Sequence, residues 1–568
     1  LLRTTRQIYY ISSLQEAGTY GMKNKIAFYK KIFRTLFIAF FITSCASKSK
    51  SDKQVFAYNQ VEGIATLDPA FAKSQATMWV AHQLYNTLVE TDSNLNIVPS
   101  LAKSWEVSDN RLLYTFHLRG DVYFHDNAAF PGGKGKKMTA DDIAYSLTRI
   151  MDKATASSGA WVFNNRVHSP GFTALNDSTF QLRLIRPFHP ILGILSMQYC
   201  SIVPREVVEK YGKDFRSHPC GTGPFQFHFW EEGQALILYK NWHYFEKDEH
   251  GKQLPYLDAV KISFLDSRST EFLAFQQGQL SFVNDIDPSF KDEVLTKKGE
   301  LRKDWQQKVI LNKHPYLNTE YLGILVDEKN GFVKNSSLRF KSVRQAINSS
   351  INRQKLMMYM RNSIGTAATG GIVPAGLPSK NAETVKGYTY NPAKARQLLK
   401  DAGFENGKGL PMITLLTIPI YADIGSFVAK QLEETGIKVQ VEVVQKSLLL
   451  EQTAKSKALF FRGSWIADYP DAENYMAMFY SKNPAPPNYT QYKNPAFDVL
   501  YEKALMENND SIRYSLYRQM DQIVMNDAPV VPLFYDMAIH LVNRNVKNFK
   551  PNALNQLELR RVMVSDKK

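Results

Sequence analysis

The alternation of helix and strand patterns over residues 391–443 most constrains the fold. Asn391-Pro392 pairs a favoured helix N-cap residue with proline at the first helical position, and Gly403 follows the predicted helix. A second helix is predicted over residues 427–435, and Gly436 ends it. Residues 437–443 then alternate apolar and polar, as in a half-buried strand. Such repeated helix-then-strand units predict an α/β lobe.

Length and charge narrow the class of protein further. A chain of 568 residues is too long for one hydrophobic core, so two or more lobes are expected. The net charge is +16; residues 1–44 hold seven basic side chains and one acidic one, which leaves +10 for the rest. This excess is spread along the chain without an arginine-rich helix, so nucleic acid is not an expected partner. A diffusely basic surface suits a location near an anionic membrane.

The N-terminal segment has the pattern of a targeting signal. After Met22 comes a basic stretch, and residues 36–42 form an apolar run too short to cross a bilayer core of about 30 Å. Thr43-Ser44-Cys45 follows, and the whole resembles a bacterial lipoprotein signal peptide. That resemblance implies cleavage before Cys45 and acylation of it; the alternative is an ordinary secretory signal with a chance cysteine. Residues 1–21 look like upstream translated sequence, and residues 45–54 are predicted to be a polar tether.

Two further cysteines, Cys200 and Cys220, leave two alternatives open. Outside the cytoplasm they could form a disulfide, which would contribute roughly 3 kcal/mol if unstrained. They could equally be two free buried thiols. No Cys or His spacing in the sequence indicates a metal site, and none is expected.

The segment 462–471 is the candidate functional site, because it combines an arginine, two aromatic residues and two carboxylates. Pro470 forces a turn, so Asp468 is expected on irregular backbone at the end of a strand, where α/β folds place their ligands. Arg462 and Asp468 could present opposite charges to one small zwitterion. The alternative is a structural turn with an internal Arg–Asp pair.

Several short motifs occur in an order typical of one protein family. They are Leu67-Asp68-Pro69, Leu101-Ala102-Lys103-Ser104-Trp105, Phe124-His125-Asp126, Thr139-Ala140-Asp141-Asp142, Gly221-Thr222-Gly223-Pro224-Phe225, Trp465-Ile466-Ala467-Asp468 and Ala528-Pro529-Val530-Val531-Pro532. Over residues 55–550 the chain resembles the extracellular solute-binding proteins that serve peptide and nickel ABC importers. The glycines of residues 221–225 allow a tight turn and close chain crossing, which indicates an architectural role.

The resemblance implies a fold and a division of the chain. The fold is the bilobal, periplasmic-binding-protein-like type II fold, with two α/β lobes, an extra N-terminal subdomain and a hinge. Residues 55–95, 218–315 and 532–568 would form the core of lobe I, residues 96–217 its extra subdomain, and residues 316–531 lobe II.

The resemblance also implies residue roles. Asp468 would hold the α-ammonium of a peptide, Arg462 could meet a peptide carboxylate, and Trp465 would help to wall the cleft. The expected protein is a lipid-anchored, extracytoplasmic monomer, without a cofactor, that captures di- to oligopeptides for an ABC permease and ATPase.

Three alternatives remain. The solute could be a nickel chelate, haem or an oligosaccharide, or the protein could sense peptides without feeding a permease. A peptidase is disfavoured, because the sequence has no Gly-x-Ser-x-Gly or His-Glu-x-x-His motif.

Overall fold

The computed structural model describes residues 53–380 and 384–565. The predicted signal segment 1–44, the proposed acylation site Cys45 and tether residues 46–52 lie outside this part of the chain. Within the described residues, no helix combines the length and apolar character needed to cross a bilayer.

The strands are numbered in chain order. They are β1 Val55–Asn59, β2 Val89–Thr91, β3 Ile97–Pro99, β4 Ala102–Val107, β5 Leu113–Leu118, β6 Val167–Asn176, β7 Thr179–Leu184, β8 Phe225–Glu231, β9 Ala235–Lys240, β10 Ala259–Ser263, β11 Phe282–Asn284, β12 Val309–Ile324, β13 Thr366–Ala367, β14 Ile413–Thr417, β15 Val439–Val443, β16 Phe460–Ile466, β17 Val530–Asn543, β18 Val546–Lys547 and β19 Met563–Val564.

The α-helices are numbered in the same way. They are α1 Gln75–Leu84, α2 Ala140–Met151, α3 Ile191–Leu195, α4 Arg205–Tyr211, α5 Arg268–Gln276, α6 Pro288–Val294, α7 Lys303–Gln306, α8 Gly331–Lys334, α9 Lys341–Ser350, α10 Arg353–Arg361, α11 Pro392–Asp401, α12 Ala422–Glu433, α13 Lys446–Ala454, α14 Glu473–Met476, α15 Pro495–Met506 and α16 Asp510–Asp527.

Three larger sheets organise these elements. The first sheet has the order β1-β10-β9-β8, and the second has the order β4-β5-β7-β6. The central sheet has the order β11-β17-β12-β16-β14-β15, with β13 beside β17. Its long strands β12 and β17 are antiparallel, whereas β14 pairs in parallel with β15 and β16. The chain is therefore a mixed α/β protein, and its central sheet carries the predicted helix–strand units on strands that pair in parallel.

The α/β units predicted over residues 391–443 are confirmed. Helix α11 begins where Asn391 accepts a hydrogen bond from the backbone N–H of Lys394 at 2.9 Å. Its end is followed by Gly403 at φ +85°, a left-handed conformation that favours glycine. Helix α12 begins five residues before the predicted start, because the turn at Pro419–Tyr421 leads directly into it.

The architectural role predicted for residues 221–225 is also supported. A Cβ atom on Gly223 would lie 2.4 Å from the carbonyl carbon of Leu84, and one on Gly221 would lie 2.2 Å from the Leu84 oxygen. Both distances are too short for any side chain. Glycine is therefore required where this loop crosses the end of α1.

Cys200 and Cys220 are both free and buried. Of the two alternatives, the structure therefore has the two buried thiols and not the disulfide. Burial raises the pKa of both thiols above its ordinary range. Both cysteines pack in a hydrophobic core that excludes water.

A thiol-reactive reagent is expected to label neither cysteine in a native Cys45→Ser chain. Labelling needs a solvent-accessible thiolate, which burial denies to both groups. Counting labelled thiols by mass spectrometry should give none in buffer and two after unfolding without reductant. If the unfolded chain is labelled only once a reductant has been added, the two cysteines instead form a disulfide.

Candidate functional site

Asp468 lies on irregular backbone two residues beyond the end of β16, as predicted. The residue is exposed. Among the described residues it has no ion-pair partner; its hydrogen-bond partner is Asn474, whose Nδ2 donates to Oδ2 at 3.4 Å. An exposed carboxylate without a cation at the end of a central strand can accept a cationic group from outside the protein.

Asn474 fixes this carboxylate relative to the strand. Its Oδ1 accepts hydrogen bonds from the indole N–H of Trp465 at 2.8 Å and from the backbone N–H of Asp468 at 3.4 Å. The Asn474 side chain therefore connects Trp465, near the end of β16, to the loop that carries Asp468. Asn474 was not predicted from the sequence, although its position nine residues after Trp465, in the first turn of α14, was a usable signal.

Replacing Asn474 with leucine should weaken the binding of a cationic ligand at Asp468 about tenfold and lower the free energy of unfolding by about 1–3 kcal/mol, because two donors lose their acceptor. Calorimetry and urea unfolding measure these two effects. Asn474→Asp is the matched variant, since it keeps the acceptor oxygen but adds a like charge beside Asp468. Wild-type affinity in Asn474→Leu would contradict this positioning role.

The surroundings of Asp468 change its acidity. Protein packed around the loop raises the pKa of Asp468 from 3.8 to about 6, and the Asn474 hydrogen bond lowers it in part. Water still reaches this residue, so the shift reflects partial desolvation by the surrounding protein rather than full burial. A cation bound here would restore the charged form.

Tyr199 brings a distant part of the chain to this carboxylate. The charge of Asp468 contributes to raising the pKa of the Tyr199 hydroxyl, after the larger effect of burial. The ring of Tyr199 packs against Gly159, where a Cβ atom would lie 2.4 Å from Cδ1. A Cβ on Gly193 would lie 3.4 Å from the Cβ of Tyr469. Residues 159–199 and 465–475 therefore meet around Asp468, a juxtaposition that sequence spacing could not show.

Trp465 is half-buried and packs against the main hydrophobic core. Besides its hydrogen bond to Asn474, its carbonyl oxygen accepts one from the Tyr475 hydroxyl at 3.2 Å. That hydroxyl also donates to the Leu317 carbonyl at 2.7 Å. Trp465 thus joins β16 to the neighbouring loop and to β12, which makes it a structural member of the site.

Arg462 has a different partner from the one that the resemblance implied. Its guanidinium binds the buried carboxylate of Glu320 on β12, with N–O distances of 2.5–3.0 Å. It also lies 3.6 Å from the ring centroid of Tyr421. In this arrangement the charge of Arg462 is already neutralised within the central sheet. The alternative of an internal Arg462–Asp468 pair is wrong, because Arg462 pairs with Glu320.

The loop after Asp468 is anchored by buried charges. Arg513, which is 2% exposed, forms an ion pair with Asp471, and Glu473 accepts hydrogen bonds from the hydroxyls of Tyr469 and Tyr501. These contacts tie the loop to α15 and α16. The backbone that follows Asp468 is therefore anchored to both of these helices.

A groove of about 1480 Å³ lies elsewhere, among residues 62–77, 136–158 and 205–216. Its lining includes internal ion pairs, such as Arg149 with Asp68. It contains none of Arg462, Trp465 and Asp468. The groove is thus separate from the candidate site.

A family model described as "Bacterial extracellular solute-binding proteins, family 5 Middle" matches residues 96–487. The chain belongs to this family. Family 5 proteins are extracytoplasmic, substrate-binding components of ABC importers rather than enzymes.

Relatives and solved structures support this assignment. The glutathione-binding protein GsiB of Escherichia coli K12 is 25% identical over 517 residues, which cover 89% of this family 5 protein and 93% of that relative. The structure of DppA from Helicobacter pylori in complex with peptide STSA is 26% identical, with a TM-score of 0.72, and the match covers 92% of this chain and 100% of that one. HbpA2 from Haemophilus parasuis, at 22% identity, shares the fold with a TM-score of 0.77 over 90% of this chain and 100% of its own. The predicted type II periplasmic-binding-protein fold is confirmed.

Proposed function

We propose that this family 5 protein is a lipid-anchored extracytoplasmic receptor that captures peptides and delivers them to an ABC permease and ATPase. It would act as a monomer, held to the membrane through acylated Cys45. Residues 316–531 would close against the rest of the chain around the ligand. The observation that carries the proposal is the Asp468 carboxylate, which has no cationic partner among the described residues and lies where residues 159–199 meet residues 465–475.

A peptide α-ammonium is the group that best fits this carboxylate. A closed cleft excludes water, so a cation inside it needs an anionic partner. Backbone N–H and C=O groups of the ligand can supply further affinity without selecting side chains, which would allow several peptide sequences. Two relatives support the class of ligand, since one is called glutathione-binding and another was solved with peptide STSA.

We propose that Arg462 supports the site rather than contacts the ligand. Its guanidinium is engaged by Glu320 and Tyr421, so a peptide carboxylate would have to displace a buried ion pair. The contacts of Arg462 favour this supporting role over the role implied by the resemblance, in which Arg462 meets a peptide carboxylate.

Peptide affinity should fall as the pH is lowered through about 6, because only ionised Asp468 attracts an ammonium and its pKa in the free protein is about 6. Below that value, affinity should drop by about tenfold per pH unit. Calorimetric titration of one peptide at a series of pH values from about 5 to about 8 checks this dependence. A flat profile would show that Asp468 does not titrate in the binding reaction.

The same shift has the opposite consequence for the stability of the free protein. The folded-state pKa of Asp468 lies above its ordinary value, so the folded protein takes up a proton before the unfolded chain does as the pH falls. The contribution of this group to stability therefore rises between pH 6 and about 4. Asp468→Asn should remove the dependence and leave the free protein at least as stable at neutral pH.

Mass spectrometry of ligands that co-purify with the protein tests the proposal as a whole. Intact peptides with free amino termini are the expected result, and lipid modification of Cys45 should be found in the same preparation. A nickel chelate, haem or an oligosaccharide in place of peptides would overturn the ligand assignment. Shortened peptides that accumulate during incubation would indicate a peptidase.

A further inference from the structure

The outer face of the first sheet, defined here by Val55, Ala57, Phe229, Ile237, Tyr239 and Lys261, is unusually apolar. These residues alternate with buried ones along β1, β9 and β10, whereas on β8 a bulge between Phe227 and Phe229 interrupts the alternation. The register places Ala57, Lys261, Ile237 and Phe229 in one row across the sheet. The solvent face of such a sheet is normally polar, so an apolar face indicates a contact partner.

The described residues leave much of this face exposed, and His228 covers part of it by stacking on Tyr239 with ring centroids 4.0 Å apart. Phe229 and Tyr239 are each 42% exposed, and Val55 is 36% exposed. Lys261 is exposed within the same face. Two residues beyond β9, Trp242 is 67% exposed, and the ammonium of Lys240, a mostly buried residue of β9 outside this face, lies 4.6 Å from its ring centroid. Aromatic rings beside lysines are the combination found where proteins meet the interfacial region of a bilayer.

The position of Val55 connects this face to the proposed anchor. Residues 46–54 separate Val55 from Cys45, and they span at most about 30 Å even when fully extended. An acyl chain on Cys45 would therefore keep β1, and the face that begins with it, close to the membrane surface. The net charge of +10 beyond residue 44 would favour an anionic lipid surface.

We infer that the outer face of the first sheet rests on anionic lipid headgroups when the protein is anchored. This inference rests on the proposed lipid anchor at Cys45 and is independent of the identity of the ligand. One carboxylate belongs to the same face by register: Glu231 lies opposite Ala235 at the β8–β9 end and is exposed. Glu232, in the turn that follows, pairs with Arg216 at 2.8 Å. The contact would set the orientation in which the receptor meets its permease.

Cysteine reporters test the inference directly. A chain with Cys45→Ser, tethered through an N-terminal histidine tag to a nickel-chelating lipid, would carry either Tyr239→Cys or Ile420→Cys. Ile420 is the matched control, because it is apolar and 77% exposed but lies away from this sheet. Cys200 and Cys220 are buried, so a membrane-impermeant thiol reagent should report on the introduced cysteine. The vesicles contain phosphatidylcholine with about one quarter phosphatidylglycerol.

Tethering should slow the labelling of Tyr239→Cys by about fivefold or more and leave Ile420→Cys unchanged. Equal labelling of tethered and free Tyr239→Cys would overturn the inference. Protection of Tyr239→Cys in the absence of vesicles would also overturn it, since a second copy of the chain would then cover the face. Peptide affinity measured on both reporter chains keeps the two proposals apart, because its loss would count against the peptide site alone.

Discussion

Replacing Asp468 with asparagine is expected to weaken the binding of a free-amine peptide by about a thousandfold. Removal of one member of a desolvated charge pair typically costs about 3–5 kcal/mol, and each 1.4 kcal/mol changes the affinity about tenfold. Because the ligand ammonium would remain in the closed cleft without its counter-ion, the whole of this cost should appear as a loss of affinity. Calorimetry with one defined peptide measures the change.

The fold should survive this substitution. Asp468 is exposed and has Asn474 as its hydrogen-bond partner, so an amide of the same shape removes little from the free protein. Asp266→Asn is the matched control, since Asp266 is another exposed aspartate, on the loop after β10. Unchanged affinity in Asp468→Asn, or an equal loss in Asp266→Asn, would remove the basis for this assignment.

Replacing Glu320 with glutamine is expected to lower the free energy of unfolding by about 3 kcal/mol. Glu320 is a buried residue of β12, beside β16, and its loss leaves the Arg462 guanidinium without its carboxylate inside the central sheet. Urea unfolding measures the change. Glu451→Gln is the control, because its 2.7 Å pair with Lys455 is exposed to solvent and should contribute little to stability.

A double variant separates the cost of an unpaired charge from a loss of packing. In Glu320→Leu/Arg462→Met both charges are removed together, so most of the stability should return. Peptide affinity in the double variant then tests the role of Arg462. Retained affinity fits a supporting residue, whereas a hundredfold loss at restored stability, about 3 kcal/mol, would show that Arg462 contacts the ligand.

Local chemistry explains why part of the site was predictable from the sequence. Pro470 excludes helix at the preceding residue, so the irregular backbone at Asp468 followed from the chain itself. The cap at Asn391 and the glycines at 221, 223 and 403 were predictable for the same reason. Each depends on atoms within a few residues or on a backbone conformation that only glycine adopts readily.

Contacts between distant segments were not predictable in this way. Glu320 lies 142 residues before Arg462, and only the register of β12 with β16 brings their charges together. Tyr199 reaches the surroundings of Asp468 from residues far earlier in the chain. The choice between a disulfide and two thiols at Cys200 and Cys220 also depended on three-dimensional geometry, which two positions in a sequence do not define.

The most direct measurement is a cycle of four affinities, with wild-type and Asp468→Asn protein and with one peptide bearing either a free or an acetylated amino terminus. Acetylation removes the ammonium charge and leaves the remaining peptide groups in place. If Asp468 holds that ammonium, each single change should weaken binding strongly, and the second should add little, with a coupling of about 3 kcal/mol. Additive losses, or equal affinity for the two peptides in wild-type protein, would contradict the account.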